Sequence, residues 1–269
     1  MSLAESPERY AAFTLEVADG VAHVRLAQED RGNPFDGVFC RELSEVVTAC
    51  DADPAVRALL ITGTGRFFCV GGDLQSLGRD RESLRAFVKS ATIGLHSAIS
   101  RMARMDAPVV LAVHALAAGG AVSLAAAADF CLAGRSAKFY AAYQGIGLAI
   151  DGGGSHHVPR RVGSRRATEF YLRNQTWDAE TAARLGLVNE VVEDDALQDA
   201  ALALAQELAA GPTRSFGEVK NLLLSSADTP LETQLELEAR AMSRTAATDD
   251  GWEGITAMAA KRRAAFRGL

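Results

Sequence analysis

Two apolar runs, at residues 58–63 and 107–113, place the strongest constraint on the fold of this 269-residue chain. The first reads ALLITG and the second APVVLAV, and neither alternates polar and apolar residues. Such runs are typical of parallel strands that are buried on both faces by helices. Helical and strand patterns alternate up to residue 140, which predicts βα units and an α/β fold. Helices are expected at 35–50, 81–105 and 119–128, and a further strand at 130–133.

The two ends of the chain differ in character. Strands at 13–17 and 21–26, joined at Asp19-Gly20, predict an N-terminal hairpin. After Gly163 only 187–192 resembles a strand, and helices are expected at 164–173, 178–185, 195–210, 213–225, 231–245 and 249–266. We therefore predict an α/β core over residues 1–195 and a helical C-terminal region over 196–269. Apolar stripes in that region must be buried against the core or another subunit, as at Leu231, Leu235, Leu237 and Met242.

Composition excludes several classes of partner. The net charge of −6 argues against a nucleic-acid ligand. Four scattered cysteines without a CxxC pair indicate reduced thiols and a cytoplasmic location. Polar and glycine residues interrupt the apolar stretch 109–128, so no run reaches the roughly 18 residues that a membrane span needs. Neither a P-loop nor an HExxH motif occurs, and we expect no metal.

The histidines and two glycine-rich segments do not match known catalytic motifs. The run Gly63-Thr64-Gly65 lacks the third glycine of a dinucleotide fingerprint, and Gly153–His157 lacks the GxSxG form of a nucleophile elbow. His156 and His157 are adjacent, so they would point apart and could not ligate one metal together. We expect them to be exposed at a helix start near Ser155. His23 and His114 lie in strand-like runs and are expected to find partners locally.

Two glycine pairs follow predicted strands. Gly71-Gly72 precedes Asp73, and Gly119-Gly120 opens an Ala-rich helix. Small residues at such places let a ligand approach bare N–H groups, and a helix N-terminus favours negative charge. Two of these sites facing each other would form a pocket for an oxyanion. The alternative is that small residues simply allow close packing of a helix on the sheet.

Asp151 also allows a structural and a functional interpretation. It precedes three glycines in the stretch LAIDGGG, and Asp-Gly is a common turn pair. The second interpretation is a carboxylate held where the backbone comes close to a ligand.

Several segments, taken in order, resemble the crotonase (enoyl-CoA hydratase/isomerase) superfamily. They are DGVAHVRL, ALLITGTGRFFCVGGDL, PVVLAVHALAAGGAVSLAAAADFCLAGRSAKFY, GLAIDGGGSHHVPRRVG, ARLGLVNEVV, GPTRSFGEVKNLL and EGITAMAAKRRAAF. The resemblance implies a spiral of ββα turns with a helical C-terminal trimerisation region, and trimers that often pair as hexamers. It also implies acyl-CoA thioester substrates, with no cofactor beyond the coenzyme A of the substrate. By motif match, the N–H groups of Gly72 and Gly120 would bind the thioester oxygen and stabilise an enolate.

The sequence departs from the family pattern at both glutamates of the hydratases. Ser123 and Tyr143 occupy those positions. Water addition needs a group that activates water and one that protonates the α carbon, and a tyrosine of pKa about 10 does not replace a carboxylate base. Moving a double bond needs a single carboxylate. Family isomerases carry an aspartate in a setting similar to that of Asp151, and some thioester dehalogenases place a nucleophilic carboxylate there. The turn interpretation stays open.

The resemblance also assigns the pocket walls and the coenzyme site. Ser123, Tyr143, Leu74, Leu77 and the stretch 79–99 would line the acyl pocket, and Tyr143 could bond the substrate or Asp151. Asp73 would brace its loop, with capping of the following helix as one way to do so. Coenzyme A would contact Arg31, Asn33, Phe68, Val70 and Lys261. Lys261 and the neighbouring Arg262 and Arg263 could equally be solvated cations at a helix end.

Three hypotheses follow. The first is an enoyl-CoA isomerase in which Asp151 shuttles the proton. The second is a non-catalytic acyl-CoA-binding protein that keeps the pocket. The third is a hydratase that works through an unusual residue set. The sequence leaves the acyl chain unspecified.

Overall fold

The computed structural model describes residues 10–75 and 80–269. In this part the chain folds into two sheets surrounded by helices, as the α/β prediction required. The strands are β1 (Phe13–Ala18), β2 (Val21–Leu26), β3 (Ala58–Thr62), β4 (Val109–Val113), β5 (Leu116–Ala118), β6 (Phe130–Gly134), β7 (Lys138–Tyr140), β8 (Thr176–Asp178) and β9 (Glu190–Val192). The helices are α1 (Gly37–Ala52), α2 (Arg81–Met102), α3 (Gly120–Ala127), α4 (Gly154–Val162), α5 (Ser164–Leu172), α6 (Ala179–Leu185), α7 (Leu197–Ala209), α8 (Thr213–Ser225), α9 (Leu231–Ala246) and α10 (Asp249–Ala259).

The larger sheet has six strands in the order β1-β2-β3-β4-β6-β9. The predicted hairpin is confirmed, since β1 and β2 pair antiparallel, and the remaining neighbours pair parallel. Both faces of β3 are buried, as its apolar run predicted. Leu59 and Ile61 join the core that contains α1, whereas Leu60 packs with residues of α7 such as Ala201. Helices thus cover the sheet on both sides.

A smaller sheet, in the order β5-β7-β8, was missed by sequence reasoning. Each of its strands has three residues, too few for a period-two pattern to be visible. It matters for the site because β5 leads directly into Gly119. An isolated bridge between Cys69 and Ala117 also joins the segment before Gly71 to β5.

The C-terminal helices differ in how they are covered. α7, which begins after the predicted boundary at 195, packs on the main sheet. The predicted stripe on α9 is largely exposed in the single chain, with Leu231 at 67% and Met242 at 72%. The division at residue 195 remains a prediction.

The last helix ends earlier than predicted. α10 stops at Ala259 instead of continuing to Phe266. Lys261 takes a left-handed conformation (φ 53°), and the following segment turns back along the helix. There the carboxylate of Asp250 accepts hydrogen bonds from the N–H groups of Arg267 and Gly268. Among the described helices, none is both long and apolar enough to cross a bilayer.

Candidate active site

The two glycine pairs lie side by side. Cys69 exchanges main-chain hydrogen bonds with β5, accepting from Ala118 and donating to Leu116. The Cα of Gly71 lies only 4.0 Å from where a Cβ on Gly119 would stand. A Cβ on Gly71 would itself come within 2.9 Å of the carbonyl oxygen of Ala118, and φ is positive at both glycines. Close approach and backbone conformation therefore both explain the small residues here.

The N–H groups of Gly72 and Gly120 are available to a ligand. Phe35 holds the chain on either side of Gly72, donating its N–H to Gly71 (2.8 Å) and accepting from Asp73 (3.3 Å). Gly120 is the first residue of α3, where intrahelical acceptors are lacking. Within residues 10–75 and 80–269, no acceptor takes the N–H of either glycine. The arrangement can place two donors, one at a helix start, on a single oxyanion.

Asp151 lies beside Gly120. Its Oδ1 is 3.7 Å from the position of a Cβ on Gly120. The hydroxyl of Tyr143 donates a hydrogen bond to the same oxygen. Burial, and then the charge of Asp151, raise the pKa of Tyr143 well above its usual value, so the tyrosine stays protonated. A carboxylate with a fixed hydrogen-bond donor therefore stands next to the candidate oxyanion pocket.

The buried Ser123 holds the main chain of Asp151. Its Oγ donates to the carbonyl oxygen of Asp151 at 2.9 Å, and the N–H of Gly154 reaches the same carbonyl at 3.0 Å. A Cβ on Gly154 would come within 2.5 Å of Ser123 Oγ, which explains that glycine. The turn and the site interpretations of Asp151 are thus compatible. Its carbonyl serves the turn that opens α4, while its carboxylate faces Tyr143.

His96 is a neighbour that sequence reasoning missed. Its Nε2 accepts the N–H of Gly152 at 3.2 Å. The side chain comes from the exposed side of α2, where helical periodicity indicates only a surface residue. Nothing in the pattern of residues 81–105 links it to a turn more than fifty positions away. Pairing of α2 with the 151–154 segment is a tertiary contact.

Several residues assigned to coenzyme binding are engaged elsewhere. Asn33 is fully buried; its Nδ2 donates to Phe67 and Phe68, and its Oδ1 accepts from Gln28. Its side chain therefore ties two loops together, so only its main chain could meet a ligand, and its coenzyme contact stays a prediction. The ring of Phe68 is also fully buried, so only its main chain could meet a ligand. Arg31 forms ion pairs with Asp36 and Asp73.

The remaining assigned residues lie at different places in the structure. Val70 is half-buried and Leu74 is exposed, close to Gly72 in the chain. Lys261 is exposed beyond α10, and its neighbour Arg262 pairs with Glu253. Leu77 and Arg79 lie outside the described residues. Asp73 braces its loop as expected, but the cap of α2 is Asp80.

The other histidines do not join the site. His23 bonds Thr62, and His114 bonds the carbonyl of Gly65, which confirms the expectation of local partners. His156 and His157 are half-buried rather than exposed, with ring centroids 4.9 Å apart instead of pointing away from each other. They line a cavity of about 400 Å³ between α4 and α8 that includes neither glycine pair nor Asp151. The described residues contain no group of three metal-ligating side chains.

Comparison with known proteins identifies the group to which this chain belongs. Residues 16–268 match the family model for enoyl-CoA hydratase/isomerase. The chain belongs to the enoyl-CoA hydratase/isomerase family. It is 34% identical to the 1,2-epoxyphenylacetyl-CoA isomerase of Escherichia coli (strain K12), over 94% of this chain and 97% of that protein. It is 32% identical to the 4-chlorobenzoyl coenzyme A dehalogenase-1 of Arthrobacter sp., over 85% of this chain and 83% of the relative.

Solved structures agree with the fold. The crystal structure of an enoyl-CoA hydratase from Polaromonas sp. JS666 matches with a TM-score of 0.90 and 30% identity, covering 95% of this chain and all of that chain. The resemblance to the crotonase superfamily and its fold is therefore confirmed. An isomerase, a dehalogenase and a hydratase stand among these similar proteins, so the family is established and the reaction within it is not.

Proposed function

We propose that this protein isomerises a carbon–carbon double bond in an acyl-CoA thioester, with Asp151 as the group that moves the proton. The observation that carries the proposal is the position of the Asp151 carboxylate, 3.7 Å from the Cβ position of Gly120 and bonded to Tyr143. One base beside an oxyanion pocket is sufficient for a proton shift, because the same carboxyl group can return the proton at another carbon.

The reaction has two steps. Asp151 removes a proton from the carbon next to the thioester or from the vinylogous carbon, and the electron pair moves into the carbonyl. The resulting dienolate oxygen is bound by the N–H groups of Gly72 and Gly120, a contribution worth about 10²–10³ in rate per donor in comparable sites. The protonated Asp151 then delivers the proton to the other end of the dienolate. Beyond the coenzyme A of the substrate, this chemistry requires no cofactor.

The surroundings of Asp151 argue against ordinary hydration. Ser123 uses its hydroxyl on the carbonyl of Asp151, and Tyr143 is held protonated by its raised pKa. Neither side chain can therefore act as a second base that activates water. Hydration would need a residue set that differs from the two glutamates of the family hydratases.

The direct test is turnover of a panel of 2-enoyl, 3-enoyl and dienoyl thioesters in D₂O, analysed by mass spectrometry. The proposal predicts positional isomers, with deuterium at the α or γ carbon in every turnover in which the Asp151 carboxyl proton exchanges with D₂O before it is returned. A 3-hydroxyacyl product with oxygen from water would support hydration instead. Tight binding without product or exchange would support a non-catalytic acyl-CoA-binding protein.

A second candidate function is supported by His96, which contacts Gly152 directly after Asp151. In this reaction a carboxylate oxygen of Asp151 attacks an electrophilic carbon of the acyl group and expels a halide with its bonding electrons. Water then attacks the Asp151 ester carbonyl, and Nε2 of His96 takes the proton of that water after releasing the N–H of Gly152. The bond between the acyl carbon and the Asp151 oxygen stays intact, so the product leaves with that oxygen. A relative named as a dehalogenase is in keeping with this chemistry.

Isotopes distinguish the two candidates. In a single turnover in H₂¹⁸O, substitution would give a product with unlabelled oxygen and leave ¹⁸O in Asp151. Isomerisation would leave Asp151 unlabelled. His96→Gln, which keeps an acceptor for Gly152, would stop the second step of substitution but preserve isomerisation.

We also propose that the chain self-associates as a trimer or a pair of trimers. The exposed apolar residues of the last three helices support this, namely Leu223 (70%), Met242 (72%) and Met258 (81%). Sedimentation equilibrium tests it, and a monomer at micromolar concentration would contradict it.

A further inference from the structure

Arg31 connects two carboxylates that flank the first oxyanion donor. Its Nη1 lies 2.7 Å from Asp36 and its Nη2 lies 2.8 Å from Asp73. The two carboxylate side chains are only 10% and 12% exposed, whereas the Arg31 side chain is 49% exposed. Carboxylates buried to this degree need a compensating charge. The planar guanidinium supplies it to both, with one nitrogen for each.

Both carboxylates also hold backbone. Oδ1 of Asp36 accepts the N–H of Phe39 and caps α1. Oδ1 of Asp73 accepts the N–H of Gln75. Each carboxylate therefore uses one oxygen for its own segment and the other for Arg31. The guanidinium links the start of α1 to the loop that carries Gly72.

The same segment reaches the second donor through Phe35. The Phe35 main chain brackets Gly72 with hydrogen bonds to Gly71 and Asp73. Its ring would stand 2.7 Å from a Cβ on Gly120, and it stacks on Phe39 with centroids 4.3 Å apart. Residues 31–36 thus contact the surroundings of both donors, and Asp73 follows Gly72 directly.

We infer that Arg31 is a positioning residue, which sets the Gly72 N–H against the Gly120 N–H by holding Asp36 and Asp73 together. This differs from the coenzyme-phosphate contact that the family resemblance implies for Arg31. The inference rests on the proposed function in one respect, namely that these two N–H groups bind the thioester oxygen. It does not depend on which reaction Asp151 performs.

The test compares Arg31→Ala and Arg31→Lys with the wild type on two thioesters of the same acyl group. One carries full coenzyme A, and the other carries N-acetylcysteamine, which lacks every phosphate. If Arg31 positions the Gly72 N–H, kcat of Arg31→Ala should fall about 10- to 100-fold with both thioesters, which is the range expected for a displaced oxyanion donor. Lysine is expected to rescue at most in part, because a point charge does not match the fork of arginine. A rise in KM confined to the coenzyme A thioester, with kcat unchanged, would overturn the inference.

A spectroscopic readout separates this inference from the proposed reaction. The absorption of a bound 4-(dimethylamino)cinnamoyl thioester moves to longer wavelength when hydrogen bonds polarise its carbonyl. At saturation, the shift should be smaller in Arg31→Ala and in Asp73→Asn than in the wild type. Arg25→Ala removes a neighbouring arginine with a 3.6 Å surface pair and should leave the shift intact. A full absorption shift in folded Arg31→Ala would refute the positioning role of Arg31. If the wild type shifts the absorption but does not isomerise any thioester, only the proposed reaction is refuted.

Discussion

The Tyr143 hydroxyl donates a hydrogen bond to Oδ1 of Asp151, the carboxylate oxygen that lies beside Gly120. The contact joins one of the two positions where family hydratases carry glutamate to the carboxylate that we propose as the base. The site has therefore not lost its polar network. Tyr143 and Ser123, which occupy the glutamate positions, hydrogen-bond the carboxylate and the main chain of Asp151, respectively.

Tyr143→Phe tests how the donor acts on the carboxylate. The variant removes the donor that holds Oδ1 of Asp151, so kcat should fall because the carboxylate is no longer fixed beside Gly120. Because the pKa of Tyr143 is raised, the wild type should show no loss of activity from tyrosine ionisation up to about pH 10. Steady-state kinetics of the two proteins between pH 5 and pH 10 measure both effects. Full kcat in the variant would contradict a role for this hydrogen bond in fixing Asp151.

Gly120→Ala tests the need for open backbone at the second donor. The added methyl would stand 2.7 Å from the Phe35 ring, so Phe35 or α3 must shift. We expect kcat to fall by about 10²-fold or more, since a displaced oxyanion donor has that effect. Gly37→Ala is the matched control, because a Cβ there meets nothing within 4 Å. Equal activity of the two variants would argue against Gly120 as a donor.

Ser123→Ala tests the anchor of the Asp151 main chain. The variant leaves the partly buried Asp151 carbonyl with the Gly154 hydrogen bond alone, and loss of the other bond costs about 0.5–1.5 kcal/mol of unfolding free energy. We expect kcat to fall as well, because the carboxylate is less well fixed. Urea unfolding and steady-state kinetics measure the two effects, with Ser97→Ala on the exposed side of α2 as control. A stability loss with full kcat would assign Ser123 to folding alone.

Lys220→Met tests how α8 is held to the core. The Lys220 side chain is 9% exposed, and its Nζ bonds Asp129 and the carbonyls of Met102 and Ala107. Removing one partner of a buried pair typically costs about 3–5 kcal/mol. Arg240→Met breaks the exposed pair with Glu236 and should cost at most about 1 kcal/mol. Chemical denaturation compares the two, and similar losses would contradict this account.

Because of His23, we expect the free energy of unfolding to fall when the solution is acidified. Burial lowers its pKa to about 4, against 6.5 in the unfolded chain, so the unfolded state binds more protons between these values. The free energy of unfolding should therefore decrease as the pH falls from 6.5 to 4. His23→Gln should make this slope shallower, and Lys89→Gln on the surface of α2 should not. Denaturation curves at several pH values provide the measurement.

Much of the fold follows from local patterns. The buried runs of β3 and β4, the hairpin and the Ala-rich α3 are all visible in the sequence, because each has a period or a turn signal of its own. The short strands β5, β7 and β8 have neither, and they form through pairing with each other. The early end of α10 depends on contacts of the final residues with Asp250.

The candidate site could be predicted where its groups belong to the backbone. Gly72 and Gly120 are marked by small residues after strands, and Asp151 is marked by its glycines. The partners of Asp151 were less accessible to sequence reasoning. Ser123 bonds the main chain of Asp151, and His96 meets Gly152 only because α2 packs across the loop. Similarly, the burial of Asn33 is a property of the packed loops.

The most direct test of the central claim is deuterium exchange and double-bond migration by Asp151→Asn. The amide keeps the size of the side chain and an oxygen for Tyr143, so folding and thioester binding should be retained. Because a general base contributes about 10²–10⁴-fold, exchange and isomerisation should fall by at least that lower factor. Asp228→Asn, on the surface, should match the wild type. Undiminished exchange in Asp151→Asn would contradict the assignment of Asp151 as the proton shuttle.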